Sequence, residues 1–572
     1  MFGASLAVLA QVFAGVSAGL LIRRREVAES GDWPEGVHPV LRRVYAARGV
    51  TDITQVRHRL GGLLPPASLG GLDVAVALLA DAIARNLRLC VIGDFDCDGA
   101  TGTAVAVRGL RLLGARDVHY RVPHRLTHGY GLSPALVADL ADVSPDVIIT
   151  VDSGIACVAG VAAAQAAGMR VIVTDHHLPG AHLPQADAIV NPNLHGDGFP
   201  SKALAGVGVM FYLLLALRAH LRGQGAFAAG GEPDLSALLD LVALGTVADM
   251  VALDENNRIL VAAGIKRLRA GIAQPGLRAL MQVAGRKHET IGSADLGFAL
   301  GPRINAAGRL EDMALGIECL LADDDATALR LAAQLDAINR ERRDLQDQML
   351  QQAEAMAANC ITAIETGGSG DAALCVFDAD WHPGVVGLVA SRLKERVHRP
   401  AIAFAPGGDD GFLRGSARSI PGFHIRDALA DLAATQPDLI ARFGGHAMAA
   451  GLSLAPENLD AFRTAFTALA AQRLDASILR AELLSDGALG SQDLNRDLAE
   501  QLRDGGPWGQ GFPEPVFDDE FTVTSWRVVG NGHLKLQLRH AASGTPIDAI
   551  HFSGFDGTPP ASRLHLAYQL ET

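Results

Sequence analysis

Short apolar runs, each closed by a turn or an acid, alternate with helical stretches from about residue 87 of this chain onward. Leu89-Cys90-Val91-Ile92 predicts a strand that ends at Gly93-Asp94, and Ala100 to Leu113 predicts the helix after it. Val118 to Val122 predicts a second strand, and Ser133-Pro134 offers the cap and first-turn residue of a second helix. Val147-Ile148-Ile149-Thr150-Val151 has no polar alternation, as expected of a strand covered on both faces. Arg170 to Thr174 predicts a fourth strand after an Ala-rich helix. This β-α-β-α rhythm predicts an α/β fold with a doubly wound parallel sheet.

Two largely helical segments follow, Leu204 to Leu221 and Leu235 to Leu253. Asp325 to Ala358 carries many charges and no proline, which predicts one long connecting helix. Gly367-Gly368-Ser369-Gly370 then breaks the pattern, and a second α/β region runs from about Ala372 to Leu454. From about Ser485, turn residues separate β-rich runs such as Phe521-Thr522-Val523-Thr524-Ser525-Trp526, which predicts a small β-barrel. A chain of 572 residues exceeds one core, so about two to four domains are expected. The pattern divides it into an N-terminal extension and arm (1–60), a first α/β domain (61–322), a connecting helix (323–365), a second α/β domain (366–475) and a barrel (476–572).

Met1 to Ile22 is almost wholly apolar and is followed by Arg23, Arg24 and Arg25, whereas a secretory signal has its charges first. The stretch is rich in Gly, Ala and Ser, and it reads as a dispensable extension, a buried helix or an anchor, in that order of preference. A soluble, cytoplasmic protein is expected, with no membrane partner. Six cysteines without a C-x-x-C pair fit buried free thiols in a reducing compartment. A formal net charge of -14 excludes a protein coated in basic surface, yet leaves room for a local groove of arginines.

The chemistry lies in where the carboxylates fall. Three strands end in Gly93-Asp94-Phe95-Asp96-Cys97-Asp98-Gly99, Val151-Asp152-Ser153-Gly154 and Thr174-Asp175-His176-His177. In an open α/β sheet ligands bind beyond the carboxyl ends of the strands, so these acids and imidazoles are expected in one crevice. Asp249 adds a carboxylate inside an otherwise apolar helix. Any one of these motifs alone could be a turn or a cap. Together they form a set that would repel itself unless protonated or neutralised by cations. Oxygen ligands with one or two imidazoles suit Mg²⁺ or Mn²⁺, and a pair of such ions can hydrolyse a phosphodiester.

In order and context, GDFDCDG, VDSG, TDHH and VADM resemble the four motifs of the DHH phosphoesterase superfamily. GPRINAAGR, WHPGVVGLVASRL, RGSARS and FGGHAMAAG extend the resemblance to bacterial exonucleases of the RecJ type, over nearly the whole chain after residue 22. Smaller relatives that cleave pyrophosphate or oligonucleotides carry a histidine where this chain has Ile92, with Asp94 nearby, a departure that favours the RecJ type. The resemblance implies metal ligation by Asp96, Asp98, Asp152, His176 and Asp249, with Asp152 bridging two ions and Asp94 a ligand or the support of one. It implies that Asp175 orients His176 through its other ring nitrogen, and that His177 contacts the scissile phosphate or assists the leaving group. The second α/β domain would be a DHHA1 domain and the barrel an OB-like domain for nucleic acid.

For substrate, Arg303, Asn305 and Arg309 lie in a Gly-rich segment without hydrophobic periodicity, and guanidinium groups bind phosphate bidentately. Arg125 is placed to hold a terminal phosphate, and Tyr130 reads equally as a stacking or a structural residue. Arg414, Ser416 and Arg418 alternate along a strand and share a face, and Gly445 and His446 permit close backbone approach. Trp508 and Trp526 read as core before they read as stacking residues. A cleft between two domains would admit only a single strand, and a pocket for the 5′-phosphate would give stepwise release of mononucleotides. The resemblance implies 5′-to-3′ polarity, a monomer acting in DNA recombination and repair, and single-strand-binding protein and a DNA helicase as partners. Two other readings are a DHH enzyme for short oligonucleotides, cyclic dinucleotides or pyrophosphate, and a scaffold that binds single strands without cleaving them.

Overall fold

The computed structural model describes the chain except residues 1–8, 15–20, 28–30, 32, 125–126, 229, 366–369, 409, 531 and 556. The chain divides into two compact units. One comprises Val50–Arg340 with Asp504–Glu514, and the other comprises Met1–Gly49, Glu341–Arg503 and Pro515–Thr572.

The first unit is built on a five-stranded sheet in the order Val118–Arg121, Leu89–Ile92, Val147–Val151, Arg170–Thr174, Ala188–Val190. Every pairing is parallel, as the alternation of strands and helices requires. All four residues of Leu89–Ile92 and all five of Val147–Val151 are buried, which explains their lack of alternation. The first strand in sequence sits between the second and third, so the winding reverses between Leu89–Ile92 and Val147–Val151. A crevice opens at such a reversal, on the carboxyl side of the strands. The helix Cys97–Leu112 packs on Gly206–Gly223 and Leu239–Ala248. Small residues make these approaches close: a Cβ on Gly102 would meet Val207 Cα at 3.4 Å, and one on Gly245 would meet Thr101 at 2.2 Å.

In the second unit, one sheet runs Arg442–Gly445, Ala449–Leu454, Leu413–Arg418, Ala401–Pro406, Leu374–Phe377. Its last pair is parallel and the others antiparallel. A closed barrel follows the order Leu9–Ala14, Pro546–His551, His533–His540, Phe517–Val529, Arg563–Glu571. The apolar N-terminal stretch therefore corrects the expectation drawn from it. Leu9–Ala14 closes the barrel between Pro546–His551 and Arg563–Glu571, and Leu21–Arg24 pairs with Glu482–Ser485. The single apolar block holds two short strands, and closing a barrel removes the edges that would otherwise lie open. Among the described residues no single helix is long and apolar enough to cross a membrane. Trp508 is core, whereas Trp526 is 40% exposed and stacks on Phe555.

Candidate metal centre

The sheet register sets the loops level. Ile92 lies beside Thr150, Thr150 beside Val173, and Thr174 beside Val190, so the loops that follow emerge at one edge. Asp96 caps the helix Cys97–Leu112, its Oδ1 accepting from Gly99 N at 3.0 Å. The cap and the ligand readings of this residue are thus compatible, since a carboxylate has about four acceptor positions. Asp98, buried in the first turn, accepts from Gly206 N (2.6 Å) and Val207 N (2.9 Å) at the start of the helix Gly206–Gly223. Asp94 is buried beside them.

Asp152 holds φ at +59°, a left-handed conformation that costs a non-glycine residue about 1–2 kcal/mol. Its turn is fixed from within. Thr150 Oγ1 donates to Ser153 O and Thr174 Oγ1 to Thr150 O, both at 2.7 Å, and Gly154 at φ +115° leaves no room for a Cβ. A Cβ on Gly206 would lie 2.4 Å from the Cβ of Asp152, so that glycine makes the space this carboxylate occupies. Asp152 Oδ1 sits 3.0 Å from His176 Nε2, and Asp249 Oδ2 sits 3.6 Å from the same nitrogen. Asp249 ends the helix Leu239–Ala248 rather than lying inside it, and Met250 follows at φ +63°.

Three overlapping groups have ligand atoms within 4.8 Å of one another: Asp94, Asp96 and Asp152; Asp98, His176 and Asp249; and Asp152, His176 and His177. Burial, then the charges of Asp249 and Asp96, pushes the carboxyl of Asp98 well up. Asp152 is pushed up by burial and by Asp98, Asp96, Asp249 and Asp94. Burial and Asp96 raise Asp249 to about 7. Asp152 Oδ1 and Asp249 Oδ2 are buried without a hydrogen-bond partner. Crowded acids with bare oxygens fit divalent cations better than they fit one another.

Asp175 corrects a second expectation. Its Oδ1 accepts from the backbone of His176 (2.7 Å) and His177 (3.0 Å) and meets His177 Nδ1 at 2.8 Å, so it orients His177 and not the ring of His176. A carboxylate that caps its own following turn brings the ring two residues on above itself. Burial opposes the charged ring of His177, but Asp175, with the charges of Asp249 and Asp94, outweighs it and holds this imidazole at about 9. Tyr130 donates to Asp152 O at 3.0 Å and packs edge-on against Phe95 and His177, which favours its structural reading, though the residue stays 45% exposed.

Two asparagines that sequence reasoning does not single out also support the site. Asn191, wholly buried, donates to His177 O (2.9 Å), and Asn193 donates to His176 O (2.5 Å). They lie in the loop that follows the strand Ala188–Val190, so the strand-end rule that finds the acids could have found them.

The Gly-rich segment is the third correction. Gly301–Leu310 is a helix, because its glycines serve close packing: a Cβ on Gly308 would collide with Phe95 O at 2.0 Å. Arg303 pairs with Asp336 (2.8 Å), and Asn305 Oδ1 accepts from Cys97 N (2.8 Å), between two candidate ligands. Arg309 stands in the last turn of that helix. Arg125 lies outside the described residues. In the other unit Arg414, Ser416 and Arg418 do share a face of Leu413–Arg418. Arg418 donates to Ser416 Oγ at 3.1 Å, and a Cβ on Gly387 would touch both side chains. Gly445, at φ +141°, is required by its own neighbour, since a Cβ there would lie 2.4 Å from Ala449 O. His446 follows it.

A parallel sheet with a carboxylate and imidazole cluster at its switch point, a second α/β domain and a barrel defines a metal-dependent phosphoesterase of the DHH class. Family models agree in chain order: the DHH family N-terminal domain over residues 88–246, the DHHA1 domain over 370–472 and the RecJ OB domain over 485–572. The chain is 50% identical over 555 residues to the single-stranded-DNA-specific exonuclease RecJ of Dickeya dadantii, covering 96% of each. It is 48% identical to that of Escherichia coli at the same coverage. A crystal structure of RecJ from Thermus thermophilus in complex with Mn²⁺ matches with a TM-score of 0.75 at 32% identity, over 94% of this chain and 75% of that one. A Mg²⁺ complex from the same source matches with a TM-score of 0.69 at 30% identity, over 94% and 74%. This chain belongs to the RecJ family of exonucleases.

Proposed function

We propose that this chain degrades single-stranded DNA from its 5′ end, releasing 5′-mononucleotides by hydrolysis at a centre of two Mn²⁺ or Mg²⁺ ions, in DNA recombination and repair. The observation that carries this reading is the convergence of Asp94, Asp96, Asp98, Asp152, His176 and Asp249 at one sheet edge, with two buried carboxylate oxygens lacking any hydrogen bond. The relatives named RecJ act on single-stranded DNA, and their bound Mn²⁺ and Mg²⁺ match this oxygen-rich donor set.

Those six residues would hold the ions, with Asp152, common to two of the ligand groups, shared between them. Divalent ions there supply an activated water and stabilise charge on phosphate oxygens. The chain's own residues do the rest. Asp175 takes Nδ1 of His177, so Nε2 is the ring atom able to donate to a phosphate oxygen or to the leaving group. Tyr130 fixes the backbone of Asp152. Arg125 and Arg309 are assigned to phosphate, and Arg414, Ser416, Arg418, Gly445 and His446 to binding single-stranded DNA. Arg303 is reassigned to positioning, because its guanidinium is engaged by Asp336 and Ala299 O, and Asn305, whose Oδ1 holds Cys97 N, keeps its assignment to substrate through its other amide atom. A scaffold without activity would have lost ligands, and all of the expected ones are present. The domain bounds drawn from the sequence, amended so that Leu9–Ala14 joins the barrel and Asp504–Glu514 joins the first α/β domain, complete the proposal with a monomeric state and a reducing cytoplasm suited to six free cysteines.

A calorimetric Mn²⁺ titration, paired with cleavage of one sequence as single strand and as blunt duplex, tests it. Two ions per chain and degradation of the single strand alone are expected. One ion, or equal cleavage of both substrates, contradicts it.

A further inference from the structure

The residues just before the barrel's Phe517–Val529 strand do not belong to the second unit, although the chain on both sides of them does. Asp504–Glu514 is part of the unit that holds the metal centre. The segment is pinned at several points. Arg269 pairs with Asp504 at 2.9 Å, and Ser293 Oγ, buried, donates to Trp508 O at 2.6 Å. Leu253 N donates to Gln510 O at 2.7 Å, and the Arg258 guanidinium lies 4.2 Å over the ring of Phe512. Trp508 and Phe512 are both buried and stack on each other with ring centroids 5.1 Å apart. The two glycines between them allow contact with the chain that follows Asp249. A Cβ on Gly509 would meet Leu253 at 2.7 Å, and one on Gly511, at φ +74°, would meet Ala252 at 3.2 Å.

Both chain sections that this segment grips lead to the centre. Leu253 and Ala252 follow Asp249 by three or four residues, with the left-handed Met250 between them. Ser293 opens the run of helix that continues into Gly301–Leu310. There Gly301 packs on Ala248 and Asn305 holds the amide between Asp96 and Asp98. The Asp249–Leu253 loop, exposed at Met250, is held from the following helix, where Asn257 Nδ2 donates to Ala252 O and Arg258 to Leu253 O, both at 2.9 Å, and the Phe512 ring packs on that same guanidinium.

We infer that Trp508–Phe512 is a positioning element of the metal centre, holding the Asp249 loop and the Asn305 helix in register so that ligands from separate elements meet. The inference rests on the metal-centre reading above. Its consequence is that residues assigned by sequence to the C-terminal region complete the catalytic unit. Metal affinity therefore depends on them even though none is a ligand.

The test is Mn²⁺ affinity, measured by calorimetry on the full chain, for Trp508→Ala and for the milder Ser293→Ala. Melting in EDTA identifies the variants that remain folded. Supporting contacts around a ligand set typically change metal affinity 10–100-fold. Trp508→Ala is expected in that range, and Ser293→Ala at about the lower end of it. Either variant melting cooperatively in EDTA but binding Mn²⁺ as the parent does would overturn the inference. If Trp508→Ala does not fold, Ser293→Ala decides. A parent that binds Mn²⁺ but cleaves no DNA would sink the exonuclease reading and leave this one standing. A parent that binds no Mn²⁺ would remove the centre on which both depend.

Discussion

Replacing Asp249 by asparagine should stabilise the metal-free protein and abolish its response to metal. In the folded chain Asp249 ionises at about 7 against an ordinary 3.8, because it is buried and faces Asp96, with His177 pulling the other way. The folded state thus holds this proton more tightly than the unfolded chain does. Below about pH 3.8 the carboxyl costs nothing, the cost grows as pH rises from there to about 7, and above that it is fully present. The interval corresponds to roughly 4 kcal/mol, an upper bound because neighbouring acids titrate with it. For a unit of this size that is roughly 8 °C in Tm. Asparagine keeps the shape of the protonated acid and cannot ionise. In EDTA at pH 8 the Asp249→Asn variant should melt above the parent, by a gap that closes toward pH 4. Adding Mn²⁺ should reverse the order, since only the parent gains from binding. Scanning calorimetry over that pH range, with and without metal, measures both effects. A variant that melts below the parent in EDTA at pH 8 would refute the reasoning.

Further outcomes follow from single contacts. Gly206→Ala places a Cβ 2.4 Å from that of Asp152, so Mn²⁺ affinity should fall about tenfold or more while the EDTA melt drops by only about 1–3 kcal/mol; unchanged affinity would count against the geometry of this turn. Asn193→Ala frees the carbonyl of His176 and should weaken Mn²⁺ binding about tenfold, read by calorimetry beside a circular-dichroism control. Deleting residues 1–14 removes the strand that closes the barrel and should abolish a cooperative transition of that unit; an unchanged melt would show that the strand is dispensable.

What the sequence made legible was governed by local rules. The acids at three strand ends could be placed because a buried parallel strand is an unbroken apolar run and its loop must face the ligand side. Arg414, Ser416 and Arg418 could be placed because strand alternation has a period of two. The failures share a cause, which is that the deciding partner is not visible in the local pattern. Gly301 and Gly308 resemble loop residues until their neighbours, Ala248 and Phe95, show why no side chain fits. Asp175 supports His177 instead of His176 because the turn it caps in its own loop decides which ring it meets. Leu9–Ala14 resembles an extension because its pairing partners are more than 500 residues on. Nothing near Trp508 announces that its backbone carbonyl accepts from Ser293.

The proposed metal centre removes nucleotides from the 5′ end of single strands. This is tested most directly with a long 5′-phosphorylated single strand carrying distinguishable labels at its two ends, incubated with the protein and Mn²⁺. Early release of the 5′ label as a mononucleotide, lost in Asp152→Ala and absent on blunt duplex, is the predicted result. Early release from the 3′ end, or cleavage confined to very short oligomers, would contradict it.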